Sequence, residues 1–345
     1  MSRRALTLLI AGIGVLACLV VVFAVPVPYV ALLPGPTYNT LGPLRGKPVV
    51  QIKGHPTFPA SGHLNMVTVS YIGGPGSNPP FNILAAIQAW LSPHEAVVPE
   101  QELFPPGKTQ QQVVKQDSLQ MVNSQQTAEA AALCHLGIRF TTVDTIASTI
   151  RGLPAAGRLH RGDVITAVDG KPVTCRSTAA SMIEARAAGH RVVLTVMRGG
   201  TSRTIALRTA SYQGQPVIGV HVVESFKFPF KVKINIGNVG GPSAGLMFAL
   251  AIIDKLTPAN LAGGKFIAGT GEIEVNGPVI PIGGIQQKMA AARAAGATVF
   301  LAPAGNCSDT ADAVPPGLRV VKVSTLNGAI AALNALKAGK PAPAC

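Results

Sequence analysis

The chain has 345 residues, 48% of them apolar, and a formal net charge of +14. That apolar share can bury real cores, so a wholly disordered chain is excluded, and the length allows two or three domains. The charge fits anionic lipid or an acidic envelope better than nucleic acid, because the basic residues are scattered and no zinc-finger or RNA-binding motif accompanies the one Trp; no nucleic-acid partner is expected.

After "MSRR" comes a run without a charge, residues 5–33. Residues 5–25 suffice to cross the hydrocarbon core, which takes about 20 apolar residues. The competing reading is a cleaved signal peptide, but its apolar region is about 7–15 residues long and ends in an A-x-A-like site, which "VFAVPVP" matches poorly. The expectation is therefore a single-pass anchor in the cell membrane, touching lipid through residues 5–25. Arg3 and Arg4 favour a cytoplasmic N-terminus, which puts Tyr29 and Tyr38 at the outer interface and the rest of the chain outside the cytoplasm.

Next, "PGPTYNTLGPLRGKP" reads as an extended linker punctuated by Pro and Gly. "KPVVQI" and "HLNMVTVSYI" read as strands, "GGPGSNPP" at 73–80 as a loop, and "FNILAAIQAWL" as a helix. "SLQMVNSQQTAEAAALCHLG" reads as a second helix stopping at Gly137. Residues 34–130 form an α+β region that completes the domains around it. "HEAVV" at 94–98 begins like a zinc-peptidase H-E-x-x-H but carries Val98 in place of the second histidine, and no metal or other cofactor is expected.

Residues 131–212 alternate short strands and tight turns. "LGIRFTTVDTI" is strand-like, "DG" at 169–170 turns between strands, "TAASMIEARAAG" is a helix, and "RVVLTVMRGGTSRTIALRT" is a hairpin turning at Gly199–Gly200. On the words "AAGRLHRGDVITAVDGKPV" and "HLGI", this span resembles a PDZ domain, a small partly open β-barrel. The resemblance implies that an extended peptide adds to a sheet edge, with Leu136, Gly137 and Ile138 lining the carboxylate loop. A PDZ-shaped packing module that binds nothing is the alternative.

From residue 213 the pattern is strand, strand, and then "GNVGGPSAGLMFAL", a glycine-rich turn running into a helix that ends at Leu256. "GPSAG" spells the G-x-S-x-G of hydrolase elbows. Ser243 is thus either a helix cap or a nucleophile with unpaired backbone N–H groups beside it. A Ser–Asp–His order fails, since no histidine follows Ser243, and a His–Asp–Ser order within this domain fails because no Asp lies between His221 and Ser243, which leaves only Glu224 or a residue of another domain open to a histidine triad. Lysine is the remaining base. Lys255 lies at the far end of Ser243's own helix, Lys265 flanks a strand start, and Lys288 sits one turn into a helix opened by a second Gly-Gly. "KFIAGTGEIEVNGPVIPI" reads as two strands turning at "NG", "TVFLAP" as a strand, and "STLNGAIAALNALKAG" as the last helix. Cys18 lies in the span and Cys134 and Cys175 lie mid-chain. In an oxidising compartment Cys307 and Cys345 would close the C-terminal segment as a disulfide; five unpaired thiols is the other reading.

"GGPSAG" at 240–245 and "TGEIEVNGPVIPIGGIQQKMAAARAAG" at 270–296 resemble the proteolytic domain of Lon proteases, over residues 213–340. The resemblance implies a Ser–Lys dyad, with Ser243 as nucleophile, Lys288 as general base and Thr270 beside the amine. Backbone N–H groups around Gly240, Gly241, Pro242 and Ser243 would hold the oxyanion. Gly240 departs from the pattern, since Lon enzymes usually carry an acidic residue three positions before the serine. Neither "GKT" at 107–109 nor "GGKF" at 263–266 completes a Walker motif, so ATP-independent cleavage is expected.

The expected fold is an α+β multidomain chain: 1–33 tip and transmembrane helix, 34–130 α+β region, 131–212 PDZ-like β-barrel, 213–345 Lon-type α+β proteolytic domain. The expected partners are protein or peptide substrates, and by family analogy a homo-oligomeric ring. The rival reading is a non-catalytic envelope scaffold or adaptor that binds peptides through the PDZ-like span.

Overall fold

The computed structural model describes residues 3–77 and 79–345; Met1 and Ser2 of the tip and Asn78 of the 73–80 loop lie outside them. Helix α1 (Arg3–Ala24) has no buried residue and a mean hydropathy of 2.9 over its most apolar stretch. The chain then enters strand β1 (Tyr29–Asn39), followed by β2 (Val50–Lys53) and β3 (His63–Gly73). Helix α2 (Ile83–Leu91) and strand β4 (Ala96–Pro99) follow. Next is the long helix α3 (Gln110–Leu136). A Thr109–Gln112 capping box opens α3, and Gly137 closes it in a left-handed conformation, so both ends are written in local sequence.

A second set of elements comprises β5 (Thr141–Thr149), β6 (Val164–Val168), the short helix α4 (Ala179–Glu184), β7 (Arg191–Arg198), β8 (Thr201–Arg208) and β9 (Val220–Lys227). They build an antiparallel sheet in the order β8-β7-β6-β5-β9, with its own core around Ile146, Ile165, Val192 and Leu194. Among the described residues this path is open, with β8 and β9 at its edges. Strand β9 lies outside the expected PDZ span, yet pairs along β5 from Val220–Thr149 to Lys227–Thr141.

The remainder is β10 (Lys231–Ile234), α5 (Gly245–Leu256), β11 (Phe266–Gly269), α6 (Ile285–Ala294), β12 (Val299–Pro303), β13 (Arg319–Val323) and α7 (Leu326–Lys337). Strands from both ends of the chain share one six-stranded sheet, in the order β13-β12-β11-β3-β1-β4. β11 runs parallel to β3 and β12, whereas β1 is antiparallel to β3 and β4. Strand β10 pairs with β2, a second link between the N-terminal region and the C-terminal third. Every residue of α5 but Lys255 is buried, as expected of a helix that is apolar all round. It forms one core with α3 residues Met121, Ala128 and Leu133 and α7 residues Ala329 and Leu333.

The linker expected at 34–48 is a correction. Residues 34–39 belong to β1, and Tyr38, expected at the membrane interface, packs against the main core; Tyr29 is exposed. The 130/131 boundary also falls inside α3, which continues to Leu136.

Candidate active site

The turn before α5 is held from two sides. Helix α3 lies against it: the Asp117 carbonyl accepts the Gly241 N–H at 2.9 Å, and Ser124 Oγ donates to the Pro242 carbonyl at 2.8 Å. The approach is so close that a Cβ on Gly240 would lie 2.7 Å from Asp117 Cβ. From the other side, Gly271 N–H at 2.8 Å and Thr270 Oγ1 at 2.9 Å both donate to the Ser243 carbonyl. The cap position of α5 is Ala244 and carries no side-chain bond, so the Ser243 hydroxyl is not a helix cap.

That hydroxyl meets Lys288 instead. Lys288 is the fourth residue of α6, and its Nζ donates to Ser243 Oγ at 3.0 Å and to Thr270 Oγ1 at 3.3 Å. Gly284 opens α6 at φ 67°, and a Cβ there would strike Val69 Cγ2 at 2.7 Å, so only glycine lets the helix start this near β3. Thr270 is fully buried and Lys288 is 4% exposed, with Ile285, Met289 and Ala290 also buried. Burial lowers the Lys288 amine from the ordinary 10.5 to about 8. The other lysines weighed from the sequence lie elsewhere: Lys255 donates to the Leu41 carbonyl, and Lys265 is exposed.

Other expected positions fare differently. Pro242 has no N–H and the Gly241 N–H is bonded to Asp117, so neither serves an oxyanion; Gly240, Ser243 and Ala244 retain N–H groups at the turn. Leu136 ends α3, Gly137 is its cap, and Leu136 and Ile138 pack against the proteolytic core. The strand that follows this loop, β5, is flanked by β6 and β9, so the expected peptide edge is already occupied by the chain's own β9. Cys307 and Cys345 are disulfide-bonded, with Cα atoms 5.0 Å apart. A second disulfide, Cys134–Cys175 with Cα atoms 5.9 Å apart, ties α3 to the turn between β6 and α4.

Sequence reasoning missed Asp117, Ser124 and the Cys134–Cys175 bond. The Thr109 capping box marks where α3 begins, but nothing local states that its first half lies against a turn more than a hundred residues later.

A family model described as the Lon protease (S16) C-terminal proteolytic domain matches residues 221–334, and a PDZ domain model matches residues 134–209. Lon protease 1 of Bacillus subtilis is 32% identical over 133 residues, which is 37% of this chain and 17% of that protein. Lon protease of Rhizobium meliloti is 39% identical over 94 residues, 26% of this chain and 11% of its own length. The chain thus spans less than a fifth of either relative. Among solved structures, the PDZ domain of the SdrC-like protein of Listeria monocytogenes is 25% identical, covers 23% of this chain and 86% of its own, and superposes with a TM-score of 0.21. The chain thus carries a match to a PDZ domain followed by a match to a Lon proteolytic domain, behind an N-terminal helix long and apolar enough to cross a membrane.

Proposed function

We propose that the chain is an ATP-independent serine endopeptidase that uses a Ser243–Lys288 dyad on accessible or unfolded protein substrates outside the cytoplasmic face. The observation that carries this reading is the 3.0 Å contact between Lys288 Nζ and Ser243 Oγ inside a desolvated pocket. With its amine neutral, Lys288 accepts the Ser243 proton through that contact. Ser243 Oγ then bonds to the peptide carbonyl carbon, and the oxyanion rests on two of the N–H groups left at the turn, those of Ser243 and Ala244. Lys288 returns the proton to the leaving amine as the C–N bond breaks. Water attacks the acyl-enzyme, giving its proton to Lys288, and the freed Ser243 takes the proton back. Thr270 fixes both partners, one through its contact with the Ser243 carbonyl and the other through the lysine amine.

The location follows from α1 with Arg3 and Arg4 at its start, and two disulfides suit an oxidising compartment. Independence from ATP rests on the incomplete Walker patterns. Because β9 lies along β5, the PDZ domain serves this enzyme as a regulatory and positioning module rather than by capturing peptides at that edge.

Labelling with a serine-reactive fluorophosphonate, followed by peptide mapping, tests the proposal. Ser243 should be the labelled residue, and Ser243→Ala and Lys288→Ala should each lower cleavage of an unfolded protein by at least about 10⁴-fold. Wild-type protein that neither labels nor cleaves would return the chain to the scaffold reading.

A further inference from the structure

Helix α2 is built inside out for a surface helix in water. Its sequence, ILAAIQAWL, contains no charge. The small residues Ala85, Ala86 and Ala89 face inward, packing with Phe81, Ala31, Val27, Leu33 and Val97. The large ones face out: Ile87 is 46% exposed, Trp90 76% and Leu91 73%. These three fall at i, i+3 and i+4, one contiguous face. A soluble surface helix would present charged or polar groups there.

Its position explains the inversion. Asn82 joins two helix ends with one side chain. Its Oδ1 accepts the Ala85 N–H at 2.9 Å and caps α2, while its Nδ2 donates at 2.9 Å to the Phe23 carbonyl in the last turn of α1. Val27 N–H also bonds the Phe81 carbonyl at 2.9 Å, so the segment leaving α1 is stitched to the segment entering α2. The exposed apolar side chains of Val25, Tyr29 and Ile72 cluster at the same end, for β1 begins at Tyr29 and its Ala31 lies opposite Ile72.

We infer that the Ile87–Trp90–Leu91 face of α2 is a lipid-docking surface that lies in the headgroup region of the leaflet from which α1 emerges. The continuity with α1 selects lipid as the occupant, and an exposed Trp beside aliphatic residues matches the chemistry of that layer, apolar on one side and wet on the other. A second seated element fixes how the body stands on the membrane, whereas α1 alone would leave it free to tilt. The inference rests on α1 spanning the bilayer.

Trp90 is the only tryptophan in the chain, so tryptophan emission reports on α2 alone. The full chain is reconstituted in phosphatidylcholine–phosphatidylglycerol vesicles, with or without lipids brominated high on the acyl chain. Brominated lipid should remove most of the Trp90 emission, and acrylamide should quench it weakly. Ile87→Gln with Leu91→Gln, both at exposed positions, should leave folding intact and reverse the pattern. Flotation after carbonate extraction scores the anchor separately. A chain that floats while Trp90 is quenched by acrylamide and not by bromine overturns the inference and leaves the anchor standing. Shielding from both quenchers would mean that protein covers the face, and overturns it as well. A chain that fails to float removes the anchor and the inference together.

Discussion

Lys288 is held in a pocket that lowers its amine to about 8, while in the unfolded chain it stays protonated up to about 10.5. Two consequences follow, both favoured by rising pH but over different windows. For cleavage the amine must be neutral, so kcat/KM of the free enzyme should fall about tenfold per unit as pH drops below about 8, and level off above it, in a pH–rate profile on a peptide substrate. For stability, unfolding takes up a proton between about pH 8 and 10.5, so the fold gains stability as pH rises through that window. Below it the full penalty remains, about 3 kcal/mol by linkage. Lys288→Met should therefore abolish cleavage and raise Tm at pH 7, the lost bonds to Ser243 and Thr270 offsetting only part of the gain. A lower Tm for Lys288→Met would contradict the desolvated-lysine account. Thr270 answers to a different measurement. Thr270→Val removes the donor to the Ser243 carbonyl and the neighbour of the amine while keeping the shape, and should cost on the order of 10²-fold in kcat with little change in KM. Thr270→Ser should restore most of it.

At the scale of elements, α3 supports the nucleophile turn, and Gly240 is where that support is tightest. A family pattern suggests restoring an acid at 240, but the Cβ would sit 2.7 Å from Asp117 Cβ and 3.3 Å from the Asp117 carbonyl carbon. Gly240→Asp should thus lower stability by about 1–3 kcal/mol and reduce cleavage, read by thermal unfolding and peptide hydrolysis. Combined with Asp117→Gly it should cost less than the two single losses added, the mark of two residues sharing one space. The space next to the dyad is already taken by α3, which a one-dimensional motif comparison cannot see. The same limit explains what was legible. Helices α5 and α6 could be read to within a residue or two because glycine, proline and apolar periodicity state their ends locally. Ser243 and Lys288 could be put forward together because each follows a Gly-Gly turn with strong local grammar, Lys288 one turn into the helix that turn opens. β1 could not, because Pro34, Gly35 and Pro36 spell a linker. The prolines are tolerated because β4 pairs only with residues 29–32 and the β1–β3 register shifts between Pro34 and Thr37, so few backbone donors are needed there. Gly35 is needed because a Cβ would strike the Thr68 backbone at 2.8 Å. The pairing of β9 with β5 was not legible either, because it is a long-range fact that no window of sequence contains.

Across the whole molecule, two of the links between the domains bear on the active site. One is an aromatic contact in which Phe140 packs against both Phe226, on β9, and Phe228, with ring centroids 6.1 and 5.5 Å apart. The other is the Cys134–Cys175 disulfide, which fixes the C-terminal end of α3 to the PDZ sheet's side of the molecule, while the first half of the same helix holds Gly241 and Pro242. α3 is therefore a rigid element with the PDZ domain at one end and the nucleophile turn along its side. The C-terminal disulfide is the natural control. Cys307–Cys345 closes a loop of similar length, 38 against 41 residues, but ties down the tail, where Ala344 bridges to Val321 on β13. Chain entropy assigns each bond up to about 4 kcal/mol, so Cys134→Ser/Cys175→Ser and Cys307→Ser/Cys345→Ser should lower Tm to a comparable degree. Their effects on the active site should differ. At a temperature where all variants remain folded, only the loss of Cys134–Cys175 should slow fluorophosphonate labelling of Ser243, because only that bond steadies the helix behind the turn. Equal labelling rates in the two double variants would show that α3 is a passive brace and that the PDZ domain reaches the dyad, if at all, through the aromatic contact.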